Sequence, residues 1–148
     1  MARKPIQARV KRLSDNASIP QYASEQAACF DFIATSRAVE GNTATYGTGL
    51  AFEVPEGHAL MIYSRSGHGF NSGIRLCNAV GVVDADYRGE VKVKLTYDGP
   101  TGQFIDWPRV GDRIAQGMII QAPQVTLTEV DELSETKRGN GGFGSTGK

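Results

Sequence analysis

Gly81-Val82-Val83-Asp84-Ala85-Asp86-Tyr87-Arg88-Gly89-Glu90-Val91 is the stretch whose reading decides the fold. Two glycines bracket an apolar pair, two carboxylates and one aromatic ring, the pattern of a β-hairpin whose bend carries chemistry. Asp84 closes an apolar run, where a carboxylate sheds part of its hydration and becomes suited to general-base work. The plainer reading gives Asp84 and Asp86 to the turn itself, their side chains accepting backbone N–H groups. From Glu90 to Tyr97 the alternation is clean, with Val91, Val93 and Leu95 on one face and Lys92 and Lys94 on the other, the period of a half-buried strand.

Upstream of this stretch, residues 48–54 and 58–63 read as strands joined through Pro55-Glu56-Gly57. The second runs into Ser64-Arg65-Ser66-Gly67, where Gly67, Gly69 and Gly73 oppose a long helix but allow one helical turn starting near Ser64 or Ser66. Free N–H groups and a hydroxyl beside Arg65 suit a phosphate, and equally describe a capped turn with a surface arginine. Residues 74–76 form a brief strand. Residues 28–34 form a short apolar strand interrupted by Asp31, which taken alone reads as an edge or bulge position with its carboxylate in water. Residues 7–13 alternate with Ala8, Val10 and Arg12 on one face, and residues 14–25, with Pro20, form a loop. Downstream come a turn at 98–102, a strand at 104–107, a buried strand at 113–121 with Gly117 at a bulge or close contact, and a last strand at 125–130. Many short strands without an amphipathic helix predict an all-β, single-domain, jelly-roll-like β-sandwich or barrel with one short helical segment.

At 148 residues with 40% hydrophobic residues, the chain can bury one core. Lys plus Arg and Asp plus Glu both number 16, so no basic field points to a polynucleotide partner. No run of about 18 apolar residues exists to span a membrane. The basic start, residues 1–11, lacks the apolar segment of a secretory signal, and Cys29 and Cys77 stand apart without metal-ligand spacing; both fit a cytoplasmic setting, or a host's cytoplasm for a viral chain. His58 and His68 have no partners spaced for a zinc site. After a domain at 1–133, residues 134–148 become glycine-rich, too poor in apolar groups to pack as a core element, and read as a mobile tail. Apparent Walker A and dinucleotide fingerprints within the tail are rejected, because each needs a strand before it and a helix after it, and the glycine-rich context reads as neither. What remains is a set of backbone N–H groups open to an anion, with Arg138, Ser145 and Thr146 beside them and Phe143 as a flat face for a base.

Five motifs in order, residues 28–32, 64–67, the 81–91 stretch, 111–116 (Gly-Asp-Arg-Ile-Ala-Gln) and 138–147, resemble those of the trimeric dUTP diphosphatase (dUTPase) family across nearly the whole chain. The resemblance implies hydrolysis of dUTP to dUMP and pyrophosphate by a homotrimer, which limits uracil incorporation into DNA and supplies dUMP for thymidylate synthesis. It implies sites shared between subunits, with one subunit's tail closing over a site made by two others. Asp84 would activate the attacking water, Tyr87 would pack on the deoxyribose, and Asn78 would read uracil. Arg65, Ser66, Gly67 and Gln116 would hold the phosphates; Phe143 would stack on the base, and Arg138, Gly144, Ser145 and Thr146 would close on the substrate. Mg²⁺ would ride on the triphosphate, helped by Asp31 through water. Cys29, Ser64 and His68 depart from the family's usual glycine, proline and aliphatic residue. The rival readings are a dCTP deaminase of similar fold and a regulatory nucleotide-binding protein, the latter with a second role for residues 99–108.

Overall fold

A computed structural model describes residues 5–147. The first four residues of the basic start and Lys148 at the end of the tail lie outside the described residues. In chain order the elements are β1 (Arg9–Arg12), β2 (Gln21–Tyr22), β3 (Phe30–Ile33), β4 (Ser36–Glu40), β5 (Thr43–Glu53), β6 (His58–Tyr63), α1 (Ser66–Ser72), β7 (Ile74–Leu76), β8 (Gly81–Val83), β9 (Glu90–Tyr97) and β10 (Arg113–Gln121). They form two five-stranded sheets. One runs β1-β5-β9-β7 with β4 also on β5, and the other runs β2-β3-β10-β6-β8. All pairings are antiparallel.

The core lies between the sheets. Phe32, Tyr46, Leu50, Leu60 and Ile114 are fully buried, and the rings of Phe30, Phe32 and Phe52 meet edge to face. The alternation in β9 holds as read: Val91, Val93 and Leu95 are buried while Lys92 and Lys94 are exposed. β5 serves three neighbours, and its ladder to β9 shifts register between Gly47 and Ala51, around Gly49, whose positive φ of 65° and closeness to the Ser14 side chain leave no place for a Cβ. Its first half pairs with β4 and β9, and its second half with β1 and, at Ala51, with β9 again. Gly117 is the close contact expected of it, since a Cβ there would lie 2.7 Å from the Phe32 ring.

Three readings of the sequence change. The 81–91 stretch is not a hairpin, because β8 pairs with β6 while β9 pairs with β5 and β7; it carries the chain from one sheet to the other. Residues 104–107 form no strand. Trp107 is buried, and its carbonyl and that of Pro108 are taken by Arg37 and Tyr46 side chains, while Pro108 has no N–H to offer a ladder. Residues 125–130 form no strand either, and Val125, Leu127 and Val130 stay exposed. Two strands have no counterpart in the sequence reading, β4 and, inside the loop expected at 14–25, β2; both lie wholly on the surface, so no hydrophobic face marks them.

Candidate functional site

The turn that leaves β8 is held by its own backbone and side chains. Tyr87 N–H donates to the Asp84 carbonyl at 3.2 Å, Arg88 donates to the Ala85 carbonyl at 2.6 Å, and the Tyr87 hydroxyl donates to the Glu90 carbonyl at 3.1 Å. These bonds leave the Asp84 carboxylate pointing to solvent in the single chain. The partial desolvation expected of Asp84 at the end of its apolar run is therefore not found: the side chain is exposed. Beside the turn is a cleft of about 320 Å³ lined by Asn78, Asp84 and Tyr87, with Ile62 and Val91 on its apolar side and Lys92 on its polar side. The loop that presents Asn78 is tight: Val80 N–H donates to the Asn78 carbonyl at 2.6 Å and Ala79 sits at φ 61°, a left-handed conformation that alanine adopts at a cost.

A second group of side chains gathers on the other sheet. In register across β3, β10 and β6 stand Asp31, Gln116 and Tyr63. Asp31 is neither at an edge nor in water: β3 lies between β2 and β10, and the carboxylate, 18% exposed, faces Arg65 Nε at 3.2 Å and Arg113 Nη1 at 3.5 Å. Burying a carboxylate in a strand demands such partners. Gln116 donates to the Ser64 carbonyl at 2.9 Å, and the Ser64 hydroxyl accepts from Leu76 N–H at 2.9 Å. Ser64 thus ties β10 and β7 to the start of the 65–67 segment, which gives its departure from proline a structural reason. α1 runs for seven residues despite Gly67 and Gly69. It ends at Gly73, which adopts the left-handed cap at φ 62°.

The tail folds on itself. Arg138 Nε donates to the Gly141 carbonyl at 2.7 Å, and turns close at Ser145 N–H to Gly142 and Gly147 N–H to Gly144. Phe143 is fully exposed and touches neither group. One chain therefore brings Asn78, Asp84 and Tyr87 together, and Asp31, Arg65 and Gln116 with Ser66 and Gly67 adjoining, but leaves Arg138, Phe143, Gly144, Ser145 and Thr146 apart from both.

A family model described as dUTPase matches residues 15–147. The chain belongs to the dUTPase family. It is 42% identical over 142 residues to the deoxyuridine 5'-triphosphate nucleotidohydrolase of Nautilia profundicola, covering 95% of this chain and 98% of the relative. It is 44% identical over 147 residues to that of Wolinella succinogenes, covering 98% and 97%. Among solved structures, a Staphylococcus bacteriophage 80alpha dUTPase variant with dUpNHpp is similar with a TM-score of 0.83 and 25% identity over 96% of this chain and 99% of that one. A dUTPase variant from phage phi11 of S. aureus, described with a structural Mg(II) ion, shares the fold at a TM-score of 0.76 and 22% identity, over 87% and 99%.

Within this family frame, the sequence pointed to the polar side chains of the two groups except Tyr63, Arg113 and Lys92. Arg113 stood in the fourth motif without a role, and the signal for it was the need of Asp31 for a second countercharge. Lys92 was read as the solvent face of β9, and that face turns out to wall the cleft. Among the described residues no cluster of three or more His, Cys, Asp or Glu side chains is arranged to hold a metal, and no helix is long and apolar enough to cross a membrane.

Proposed function

We infer that this dUTPase-family chain hydrolyses dUTP to dUMP and pyrophosphate, with Asp84 as the general base. The observation that carries the reading is the convergence of Asn78, Asp84 and Tyr87 on one cleft. In it, Asn78 and the backbone of its strained loop read the uracil edge, and a rigid loop excludes a base with an added methyl group. Tyr87 packs against the deoxyribose and leaves no room for a 2′-hydroxyl. Asp84 takes a proton from water as that water attacks the α-phosphorus; the bond from phosphorus to the oxygen bridging to the β-phosphate breaks, and pyrophosphate leaves. Supplying dUMP and removing dUTP would limit uracil in DNA.

The register of the sheet supports a site shared between subunits. Val83 faces Leu60, so Asp84 comes level with Ala59, six residues before Arg65. At about 3.3 Å per residue this separates Asp84 from its own chain's Arg65 by ~20 Å, too far for one nucleotide's α-phosphorus and the phosphates beyond it. A homotrimer in which Asp84 of one subunit meets Arg65, Ser66, Gly67 and Gln116 of the next resolves this. Exposed Val125, Leu127, Val130 and Leu133 give such an assembly apolar surface to bury. The tail beyond the 1–133 domain, unattached in the single chain, then supplies Phe143 to the base and Arg138, Gly144, Ser145 and Thr146 to the phosphates, closing the site of two other subunits.

Mg²⁺ fits this arrangement as a companion of the triphosphate. Both Asp31 oxygens already face guanidinium groups, so Asp31 reaches a metal only through water. Bound there, the ion neutralises phosphate charge and orients the chain of phosphates. Cys29 and Cys77 stand as free thiols, in keeping with a cytoplasmic setting or that of a host. Pyrophosphate release from dUTP, dTTP, dCTP and UTP at equal concentration, with and without Mg²⁺, tests the reading. Release from dUTP alone and only with metal is expected; ammonia release from dCTP would point to a deaminase, and binding of dUTP without hydrolysis would point to a regulatory protein.

A further inference from the structure

Beside the 65–67 segment, α1 and the loop before β10 line an open cavity of about 500 Å³, of whose charged lining the catalytic reading gives a phosphate role only to Arg65. Its charged lining is Arg65, His68, Asp106, Arg109, Asp112 and Arg113. His68 directly follows the three residues assigned to the phosphates, at a position where the family usually carries an aliphatic side chain. Its Nδ1 is buried and has no hydrogen-bond partner. A buried ring nitrogen without a partner is costly and calls for a role.

We propose that His68 is a positioning residue of the phosphate segment, coupling the hold of Arg65, Ser66 and Gly67 on the substrate's polyphosphate to the uptake of one proton from solvent by the imidazole. This rests on the reading that residues 65–67 bind the phosphates. In the free protein, burial holds the imidazole below its ordinary value, and Arg65 acts in the same direction while Asp112 opposes both. The charged groups that line the same cavity nearly balance: Arg65, Arg109 and Arg113 against Asp106 and Asp112, with Asp31 already spent on Arg65 and Arg113. A polyphosphate seated on Arg65 adds negative charge and offsets the guanidinium that disfavours the charged ring, so the imidazolium becomes favoured. A proton arriving at Nδ1 also creates a donor where the free protein has an orphan, with two carboxylates in the same cavity as acceptors. By reciprocity, an anion that favours the proton is itself favoured by the proton. Affinity therefore rises as pH falls through the midpoint of the bound form and levels off below that of the free form. An aliphatic residue at this position has no such response.

The test is the KM for dUTP between pH 5.5 and 8.0 in the full-length protein, His68→Gln, His68→Leu and Arg65→Gln. Titration of the nucleotide's own terminal phosphate is common to all four and cancels in the comparison. The wild-type KM should fall about fivefold further than that of His68→Gln on going to acid pH, the low end of ordinary coupling, with the kcat midpoint unmoved. In the free wild-type protein, the His68 ring-proton titration followed by NMR should move to higher pH when inorganic pyrophosphate is added. Parallel KM profiles in wild type and His68→Gln, or an unmoved His68 titration at saturating pyrophosphate, overturn the proposal even if Arg65→Gln raises KM. A KM that ignores Arg65→Gln instead removes the phosphate assignment on which the proposal stands.

Discussion

Replacing Ser64 with alanine isolates one atom that anchors the phosphate segment. The Ser64 hydroxyl accepts from Leu76 N–H at 2.9 Å, and Leu76 is 2% exposed, so no solvent can replace the lost acceptor. A buried N–H left unpaired costs about 1–3 kcal/mol. The alanine removes only one oxygen, from a half-buried residue, so the cavity contribution is small and the expected loss lies near the lower part of that range, at ~1–2 kcal/mol. Gln116 still donates to the Ser64 carbonyl, so the segment loosens on its β7 side and keeps its β10 side. The KM for dUTP should rise several-fold while kcat, set at the Asp84 cleft, changes less. Urea unfolding at fixed protein concentration gives the stability, the concentration being held because an oligomer's apparent stability depends on it. A variant within 0.5 kcal/mol of wild type, a margin ordinary for surface substitutions, would show that the Leu76 N–H has another partner and would refute the anchoring role.

Truncation after Glu135 should greatly weaken turnover while the oligomer, followed by sedimentation, stays intact; dissociation to monomers would contradict the tail's assignment as a lid. Tyr46 is fully buried, its hydroxyl donates to the Pro108 carbonyl at 2.9 Å, and burial, with a smaller push from Asp112 and against the pull of Arg37, raises its phenol to about 12. Because the folded value lies above the ordinary 10.0, the stabilisation is complete below pH 10 and is lost as pH rises from there through about 12. Alkaline denaturation followed by circular dichroism should show this loss in wild type, and a Tyr46→Phe protein that loses stability over the same interval to the same extent would contradict it. The same variant should cost about 1 kcal/mol at neutral pH through the lost hydrogen bond.

Periodicity made the strands legible where one face is buried and the other wet. β6, β7, β9 and β10 fall at the residues expected: in β9 Val91, Val93 and Leu95 mark a core face against polar neighbours, while β6 is a short apolar run bounded by the 55–57 turn and Ser64. Residues 125–130 carry the same signal without forming a strand, since alternation specifies a strand but not the edge it must pair with, and within one chain this segment pairs with none of the sheet edges. The hairpin was misread for a related reason: glycines and carboxylates mark a reversal, while the partners of β8 and β9 are fixed by hydrophobic packing between sheets. For the site, Asn78, Asp84 and Tyr87 were legible because 78–87 is a local stretch. The Asp31, Arg65 and Arg113 cluster depends on register across three elements, which no local pattern encodes. The tail is the extreme case, for its one large apolar side chain, Phe143, is fully exposed and packs on nothing that could place its neighbours.

Asp84→Asn is the substitution that reaches the centre of the account. The amide keeps the shape of the carboxylate and cannot take a proton from water. Pyrophosphate release from dUTP and equilibrium binding of a non-hydrolysable dUTP analogue should be measured side by side in the variant and the wild type. The account predicts turnover reduced by at least ~10² with binding within a few-fold of wild type, as expected for loss of a general base. Undiminished turnover would remove Asp84 from the mechanism and with it the role assigned to the cleft.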